Sequence, residues 1–210
     1  MNATRRLILD TARRLFNDEG LQRVGVRDVA RAAGISAGNL SYHFSTKDRL
    51  VAALVLELHD INQRQIFAAL PADFSIVTLY RAACAAMRNM LDYRFILLSF
   101  VDAVSSSPPL AALEARMATR RWQRHQAMLA LLIDNGFVER AVVARSERIY
   151  EQGAMISSGW LAAAKLRRWS DHRAVLHFAK LGCALIEPWC TPRGARQMRH
   201  VLAGEEDRSR

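Results

Sequence analysis

The sequence predicts an all-α protein, and two observations carry that prediction. Apolar residues recur at helical spacing along most of the 210 residues, and Ala, Leu and Arg dominate these stretches. Runs in which Val, Ile or Thr alternate with polar residues, as they do in strands, are nearly absent. Because 51% of the residues are hydrophobic, the chain can bury the core of one or two small domains.

A glycine marks the end of each of the first two predicted helices. The first begins at Thr4, a suitable N-cap, and stops at Gly20. Its apolar stripe consists of Leu7, Ile8, Ala12, Leu15 and Phe16. The second is short and ends at Gly34, which lacks a Cβ and so permits the positive φ of a tight turn.

The third and fourth helices follow directly. The third is expected to run from the N-cap Ser36 to about Phe44. Ser45, with Asp48 three residues later, resembles a capping box and opens a long fourth helix.

Breaks at Pro71, SSSPPL, DNGF and Pro188 divide the rest of the chain. Between these breaks, helices are expected at about 75–93, 94–105, 110–134, 145–168 and 171–187. The segment TPRGARQMRHVLAG adds one weak helix, and residues 205–210 are expected to form a frayed tail.

Charge and cysteine content narrow the class of protein. Lys and Arg exceed Asp and Glu by ten, so the surface is expected to attract a polyanion such as nucleic acid or an anionic membrane face. A merely basic soluble protein is also compatible with this excess. The start of the chain has no unbroken apolar block typical of a signal peptide, and no run of about 18 apolar residues predicts a membrane span. Cys84, Cys183 and Cys190 are odd in number and lack CxxC spacing, as expected of thiols in a reducing compartment. We therefore expect a cytoplasmic protein with no membrane partner.

Motifs for catalysis or metal binding are missing from the sequence. It contains no Walker loop, GxGxxG or HExxH. The SSGW segment at Ser158 lacks the GxSxG pattern of a nucleophile elbow. His172 and His177 are five residues apart and do not share a helical face, which disfavours a metal pair. We expect no enzyme, no catalytic residue, no metal site and no cofactor.

The most informative stretch is GISAGNLSYHFSTKDRLV, residues 34–51. Two short helices joined at AAGIS, over about 25–44, have the plan of a helix-turn-helix. Leu40 and Phe44 share one face of the third helix. Because so short a helix is not stable alone, that face must dock on its neighbours. The opposite face is small and polar, and it can enter the major groove, where base edges carry a distinguishable code.

The polar face predicts particular DNA contacts. Asn39 can pair with a base edge, whereas Ser36 and Tyr42 suit phosphate oxygens. Lys47 lies in the first turn of the fourth helix, whose dipole also favours a phosphate. For His43, a contact to the DNA backbone and packing on the fourth helix are both open. The expected DNA contacts are Arg27, Ser36, Ala37, Gly38, Asn39, Ser41, Tyr42, His43 and Lys47.

These motifs are similar to those of a known family. From Thr4 to Leu54, the sequence TRRLILDTARRLF…G…VGVRDVARAAGISAGNLSYHFSTKDRLVAAL resembles the N-terminal DNA-binding domain of TetR-family transcriptional regulators. Two places depart from the family pattern. Val24 and Gly25 stand where Thr or Ser usually caps the second helix, and Ser41 replaces the first of two adjacent aromatics.

The resemblance implies a DNA-binding domain at 1–48 and a helical ligand-sensing and dimerisation domain at 49–204. Family members are homodimers whose last two long helices pair in a four-helix bundle. Such a dimer holds two recognition helices about 34 to 36 Å apart on a near-palindromic operator in double-stranded DNA. The expected dimer contacts are Gly153, Met155, Gly159, Trp160, Ala163, Leu181 and Ala184. For the small residues among them, Gly153, Gly159, Ala163 and Ala184, packing inside one subunit is an equally good explanation.

A ligand site is expected between the fourth helix and the next three. Met and aromatic side chains suit an adaptable pocket for a small apolar or aromatic compound, although ordinary core packing is the commoner role of each. The expected ligand contacts are His59, Phe67, Met87, Met90, Phe95, Phe100, Trp122 and His125.

Together these expectations describe a sequence-specific transcriptional regulator, a repressor that a small molecule releases from DNA. The tilt of the fourth helix would link the two sites, and a coupling of about 1 to 3 kcal/mol lowers DNA affinity severalfold to about a hundredfold. Two alternatives stay open. They are a non-specific DNA-binding protein and a small-molecule-binding helical protein with no regulatory role.

Overall fold

A computed structural model describes residues 3–67 and 73–204 of the chain. Most of this part is α-helical, which confirms the predicted all-α fold. The α-helices are α1 (Ala3–Glu19), α2 (Val26–Ala32), α3 (Ala37–His43), α4 (Lys47–Asn62), α5 (Ile76–Leu91), α6 (Arg94–Ser106), α7 (Pro108–Asp134), α8 (Ser146–Leu166), α9 (Asp171–Ala184) and α10 (Pro192–Ala203). Short helical turns of other types lie at Gln63–Phe67, Arg140–Arg145 and Glu187–Trp189.

Side-chain caps explain where α3 and α4 begin. Ser36 caps α3 as predicted, since its Oγ accepts a hydrogen bond from the backbone N–H three residues later at 3.1 Å. The cap of α4 is Thr46, so the prediction of Ser45 was wrong by one residue. Thr46 has the extended backbone of a cap, with φ −142° and ψ 159°, and its Oγ1 accepts from the N–H of Arg49 at 3.2 Å.

The chain divides into two compact units. Of the described residues, the first contains 3–63 and 89–117, and the second contains 64–67, 73–88 and 118–204. Helices α5 and α7 therefore each contribute residues to both units.

The core of the first unit joins the helix-turn-helix to α4 and α6. Phe16 of α1 packs on Phe95 of α6 with ring centroids 5.4 Å apart. Leu40 of α3 and Leu54 of α4 belong to the same cluster and are almost completely buried. Because α3 shares this cluster with α1, α4 and α6, its position depends on all three.

The core of the second unit lies around Trp160, which is fully buried. Its ring packs on Phe178 of α9 at 6.5 Å between centroids. The sequence placed Trp160 on the dimer surface, but the structure buries it within one protomer. Its size explains the difference, because so large an apolar side chain gains most from complete burial.

The weak helix predicted near the C-terminus is a full helix, α10. Thr191 caps it by accepting from the N–H of Gly194 at 3.1 Å, and Pro192 occupies the first turn. The cap also ties α10 to the loop after α7, because the Thr191 hydroxyl donates to the carbonyl of Gly136 at 2.8 Å. Gly136 has φ +71°, a conformation that favours glycine.

Candidate nucleic-acid interface

The turn between α2 and α3 has the geometry that the sequence predicted. Gly34 adopts φ +65° and is followed by Ile35, whose N–H donates to the carbonyl of Ala30 at 3.1 Å. Ile35 packs against the core of the first unit. The turn is therefore fixed by one glycine and one apolar anchor, and it sets the angle at which α3 leaves α2.

Burial divides α3 into two faces. Leu40 and Phe44 are 1% and 4% exposed and face the core, whereas Tyr42 is 86% exposed. The opposite face carries Gly38, Asn39, Ser41 and Tyr42, and Ser36 and Ala37 at the start of the helix are exposed as well. The predicted polar face of α3 is thus present as one continuous surface.

His43 and Arg5 lie at the edges of this face. The His43 ring is half-buried and meets the Tyr42 ring edge-on at 5.2 Å between centroids. The Arg5 guanidinium lies 5.1 Å from the centre of the Phe44 ring. Arg5 therefore brings a positive charge to the base of α3, a role that the sequence did not assign to it.

Lys47 is half-buried. Its Nζ donates to the carbonyl of Leu21 at 2.5 Å and lies 5.9 Å from the centre of the Phe16 ring. Burial lowers the pKa of the Lys47 ammonium, while the nearby Asp48 acts in the opposite direction. One of its three N–H groups is used in this contact, which ties the loop after α1 to the start of α4.

The start of α2 lacks a side-chain cap, and a carboxylate in its first turn binds the cap residue instead. The N–H of Gly25 donates to the Asp28 carboxylate at 2.9 Å, and Asp28 also pairs with Arg31 at 2.6 Å. The hydrogen bond from Gly25 is the largest cause that lowers the pKa of Asp28, and Arg31 adds to it. Arg27, the residue before Asp28, is exposed at the same end of the helix. Sequence reasoning noted the weak cap and missed Asp28, although an acid three residues after a cap is a known signal.

The residues predicted to contact a ligand fall into both units. The first unit holds His59, Met90, Phe95 and Phe100, and the second holds Met87, Trp122 and His125. Phe95, Phe100 and Met87 are buried. The side chain of Phe67 lies outside the described residues.

Trp122 and His125 form an aromatic cluster within the second unit. Their rings stack at 5.7 Å, and Tyr150 of α8 packs on both at 5.1 Å and 5.5 Å. The Tyr150 hydroxyl donates to the carbonyl of Ala118 at 3.3 Å. Burial lowers the pKa of His125, and a backbone hydrogen bond with Ser146 opposes that shift. Tyr150 was missed because nothing in the local sequence shows that α8 packs on α7.

Among the predicted dimer contacts, Met155 and Leu181 are 74% and 43% exposed, and Gly159 is also exposed. Gly153, Ala163 and Ala184 are half-buried. Two turns beyond Gly159, α8 also exposes Leu166, which is 88% exposed and was not predicted. Met155, Gly159 and Leu166 are spaced by four and seven residues, so they lie along one face of α8.

Within residues 3–67 and 73–204 there is neither a membrane-spanning helix nor a cluster of metal ligands. No helix in that part has the length and apolar character needed to cross a membrane. The same residues contain no group of three or more His, Cys, Asp or Glu side chains placed to hold a metal ion.

Two models of protein families match the chain. Residues 8–54 match the model of bacterial regulatory proteins of the tetR family, and residues 64–198 match the TetR model, described as a bacterial transcriptional repressor. The chain belongs to the TetR family. Members of this family are DNA-binding transcriptional regulators, and the first match covers α2, α3 and the turn between them.

Curated relatives resemble this TetR-family chain in its N-terminal part. The HTH-type transcriptional regulator TtgR of Pseudomonas putida is 39% identical over 57 residues, which is 27% of this chain and 27% of TtgR. The chain therefore matches about a quarter of the length of such relatives.

Solved structures resemble the TetR-family chain over nearly its whole length. A TetR-family transcriptional regulator from Marinobacter aquaeolei VT8 has a TM-score of 0.79 and 19% identity, covering 99% of this chain and 98% of that one. SmeT, the repressor of the Stenotrophomonas maltophilia multidrug efflux pump SmeDEF, has in its triclosan complex a TM-score of 0.72 and 18% identity. That match covers 91% of this chain and 93% of SmeT. At these identities the likeness shows a shared fold.

Proposed function

We propose that this TetR-family regulator is a homodimeric repressor that reads a near-palindromic operator with α3. The observation that carries the proposal is the division of α3 into two faces. Leu40 and Phe44 anchor the helix in the core, and the small polar residues opposite are open to solvent. A helix anchored in this way can enter the major groove without losing its packing.

Asn39 is the residue that we assign to base reading. Its side chain is exposed, and an amide can both donate to and accept from an adenine edge. Its neighbours Ala37 and Gly38 are small, so the helix backbone can approach the bases closely. Ser41 and Tyr42 complete the face, with Tyr42 long enough to reach a phosphate oxygen or a thymine methyl group.

Phosphate contacts are assigned to the rim of this face. The Ser36 oxygen accepts a backbone N–H, so its own O–H remains available as a donor. Arg27 is exposed at the start of α2, and His43 lies at the end of α3. Lys47 keeps two N–H groups beyond its contact with Leu21. The formal net charge of +10 supports attraction to DNA over longer distances.

We assign the dimer contact to the exposed face of α8 together with α9. Met155 and Leu166 present apolar area, and Gly159 leaves open space because a Cβ there would meet no atom within 4 Å. Apolar side chains around a small residue allow two helices to approach closely. A second copy of the chain would cover this face and place a second α3 on the next half-site.

The ligand that releases the protein from DNA is proposed to be a small apolar or aromatic compound. Phe95 and Phe100, both buried on α6, offer apolar contacts to such a compound. SmeT, a protein of similar fold, forms a complex with triclosan. A ligand that favours a low-affinity state by about 1 to 3 kcal/mol would weaken operator binding from severalfold to about a hundredfold.

Selection of bound duplexes from a random pool tests this function. The full-length protein is expected to enrich one inverted repeat whose half-sites lie about one helical turn apart, or a multiple of it. Affinity for that repeat should fall steeply with salt. Equal recovery of all sequences would contradict the proposal and favour a non-specific DNA-binding protein. Enrichment of a single half-site would contradict the homodimer.

A further inference from the structure

Helix α6 has no capping side chain of its own. It begins at Arg94, and the preceding Tyr93 occupies the cap position with φ −124° and ψ 35° and without a side-chain hydrogen bond to the helix. A phenol ring at this position cannot reach back to the first-turn N–H groups. These groups must therefore find an acceptor elsewhere.

Asn17 of α1 supplies that acceptor. Its Oδ1 accepts from the N–H of Phe95 in the first turn of α6 at 3.1 Å, and its Nδ2 donates to the carbonyl of Asp92 at 2.8 Å. One amide side chain therefore satisfies a donor and an acceptor on either side of the α6 start. The cap of α6 thus comes from a different helix, the one that supports α3.

Other contacts hold α1 against the start of α6. The Arg13 guanidinium lies 5.2 Å from the centre of the buried Tyr93 ring. Burial, and next the Glu57 carboxylate, raise the pKa of Tyr93 to about 12. Glu57 of α4 also pairs with Arg6 of α1. The start of α6 is therefore held where α1 and α4 meet.

The far end of α6 is attached to the start of α4. Ser107, which follows α6 and is 5% exposed, donates its hydroxyl to the Asp48 carboxylate at 2.6 Å. Asp48 is adjacent to Lys47, one of the residues that we assign to phosphate. Helix α6 is thus joined to α1 at its start and to α4 at its end.

We propose that Asn17 is a positioning residue through which α6 sets the orientation of the DNA reader, with Ser107 and Asp48 as the second attachment. The proposal rests on the proposed function, since the reader is α3 on the operator. Phe95 and Phe100, which we assign to the ligand, lie on α6 itself, so a compound bound there would act on both attachments. Binding linkage requires the reverse effect as well, and DNA should stabilise the start of α6.

Hydrogen exchange of the α6 amides, measured on the full chain with and without the selected operator, tests this inference. In the unmodified protein the operator is expected to slow exchange at the start of α6, including Phe95, by about fivefold or more. This arm needs no variant. Exchange that is unchanged by the operator would overturn the inference while leaving the proposed function intact.

Two substitutions locate the effect at Asn17. Asn17→Ala removes both hydrogen bonds, so the operator should no longer slow α6 exchange, and operator affinity should fall by about fivefold or more. Asn17→Asp keeps an acceptor for Phe95 next to the positive end of the α6 dipole and should restore the response. An Asn17→Ala protein that keeps both the affinity and the response would refute the role of Asn17.

Asn89→Ala is the matched control. Asn89 donates its Nδ2 to Oδ1 of Asn62 at 2.8 Å, so this change removes an amide hydrogen bond between helices of the same unit. It should lower stability and leave the response of α6 to DNA unchanged. A response lost in both variants would assign the effect to general destabilisation and contradict the inference. If no duplex is enriched at all, the proposed function fails first and the inference falls with it.

Discussion

Gly38→Ala should separate the stability of this protein from its affinity for DNA. Gly38 lies in α3, where glycine is less favourable than alanine by about 0.5 to 1 kcal/mol. A Cβ at this position would meet no atom of the protein closer than Ser36 Oγ at 3.9 Å, which is an ordinary contact distance. The folded protein should therefore accept the methyl group and become more stable, by up to about 1 kcal/mol.

The operator should not accept the same methyl group. In the proposed complex Gly38 lies against the bases, and an added carbon at a close-packed contact costs about 1 to 3 kcal/mol. Operator affinity should fall by about fivefold to a hundredfold, while the melting temperature rises by up to about 4 °C. Thermal unfolding and a fluorescence titration with the operator measure the two effects on one sample. Unchanged affinity, with the stability gained, would show that α3 does not approach the bases at Gly38.

Three further changes test other parts of the structure. Gly194→Ala should lower the free energy of unfolding by about 1 to 3 kcal/mol in chemical denaturation, because the added Cβ would lie 1.9 Å from the Phe137 carbonyl oxygen. If this variant were as stable as Gly38→Ala, the close approach of the Phe137 carbonyl to position 194 would be absent. Burial lowers the pKa of His125, so the unfolded chain binds a proton more readily, and stability should fall as pH drops through about 6.5. His125→Gln should flatten that profile, and an unaltered slope would exclude His125 as its cause. Leu166→Glu should weaken the dimer and raise the monomer fraction in sedimentation, whereas an unchanged distribution would place the dimer contact elsewhere.

Local signals were sufficient to predict the helices that form the reader. Gly20 stops α1 and Gly34 takes a positive φ as expected, and Ser36 caps α3. These features depend on residues close together in the sequence, where backbone preferences and capping decide the outcome. The burial of Leu40 and the exposure of Asn39 follow from the same helical periodicity.

Features set by distant parts of the chain could not be predicted in this way. The cap that Asn17 provides for α6 joins residues 78 positions apart, and its local sequence shows only the end of a helix. Position 194 needs glycine because the Phe137 carbonyl, distant in the sequence, lies where a Cβ would be. Trp160 was predicted at the dimer surface because the sequence of an amphipathic helix does not show whether an apolar residue packs inside its own subunit or on a partner. Thr46 and Ser45 are both good caps, and the path of the backbone chose between them.

The exchange of Asn39 for alanine tests the central claim most directly. The exposed face of α3 is proposed to read bases, and Asn39 is exposed there without a role in the core. Affinities of the wild-type protein and the Asn39→Ala variant should be measured on the selected operator and on a scrambled duplex at the same salt concentration. We expect operator affinity to fall by about 1 to 3 kcal/mol while affinity for the scrambled duplex stays the same. Equal losses on both duplexes, or no loss on either, would contradict base reading by α3.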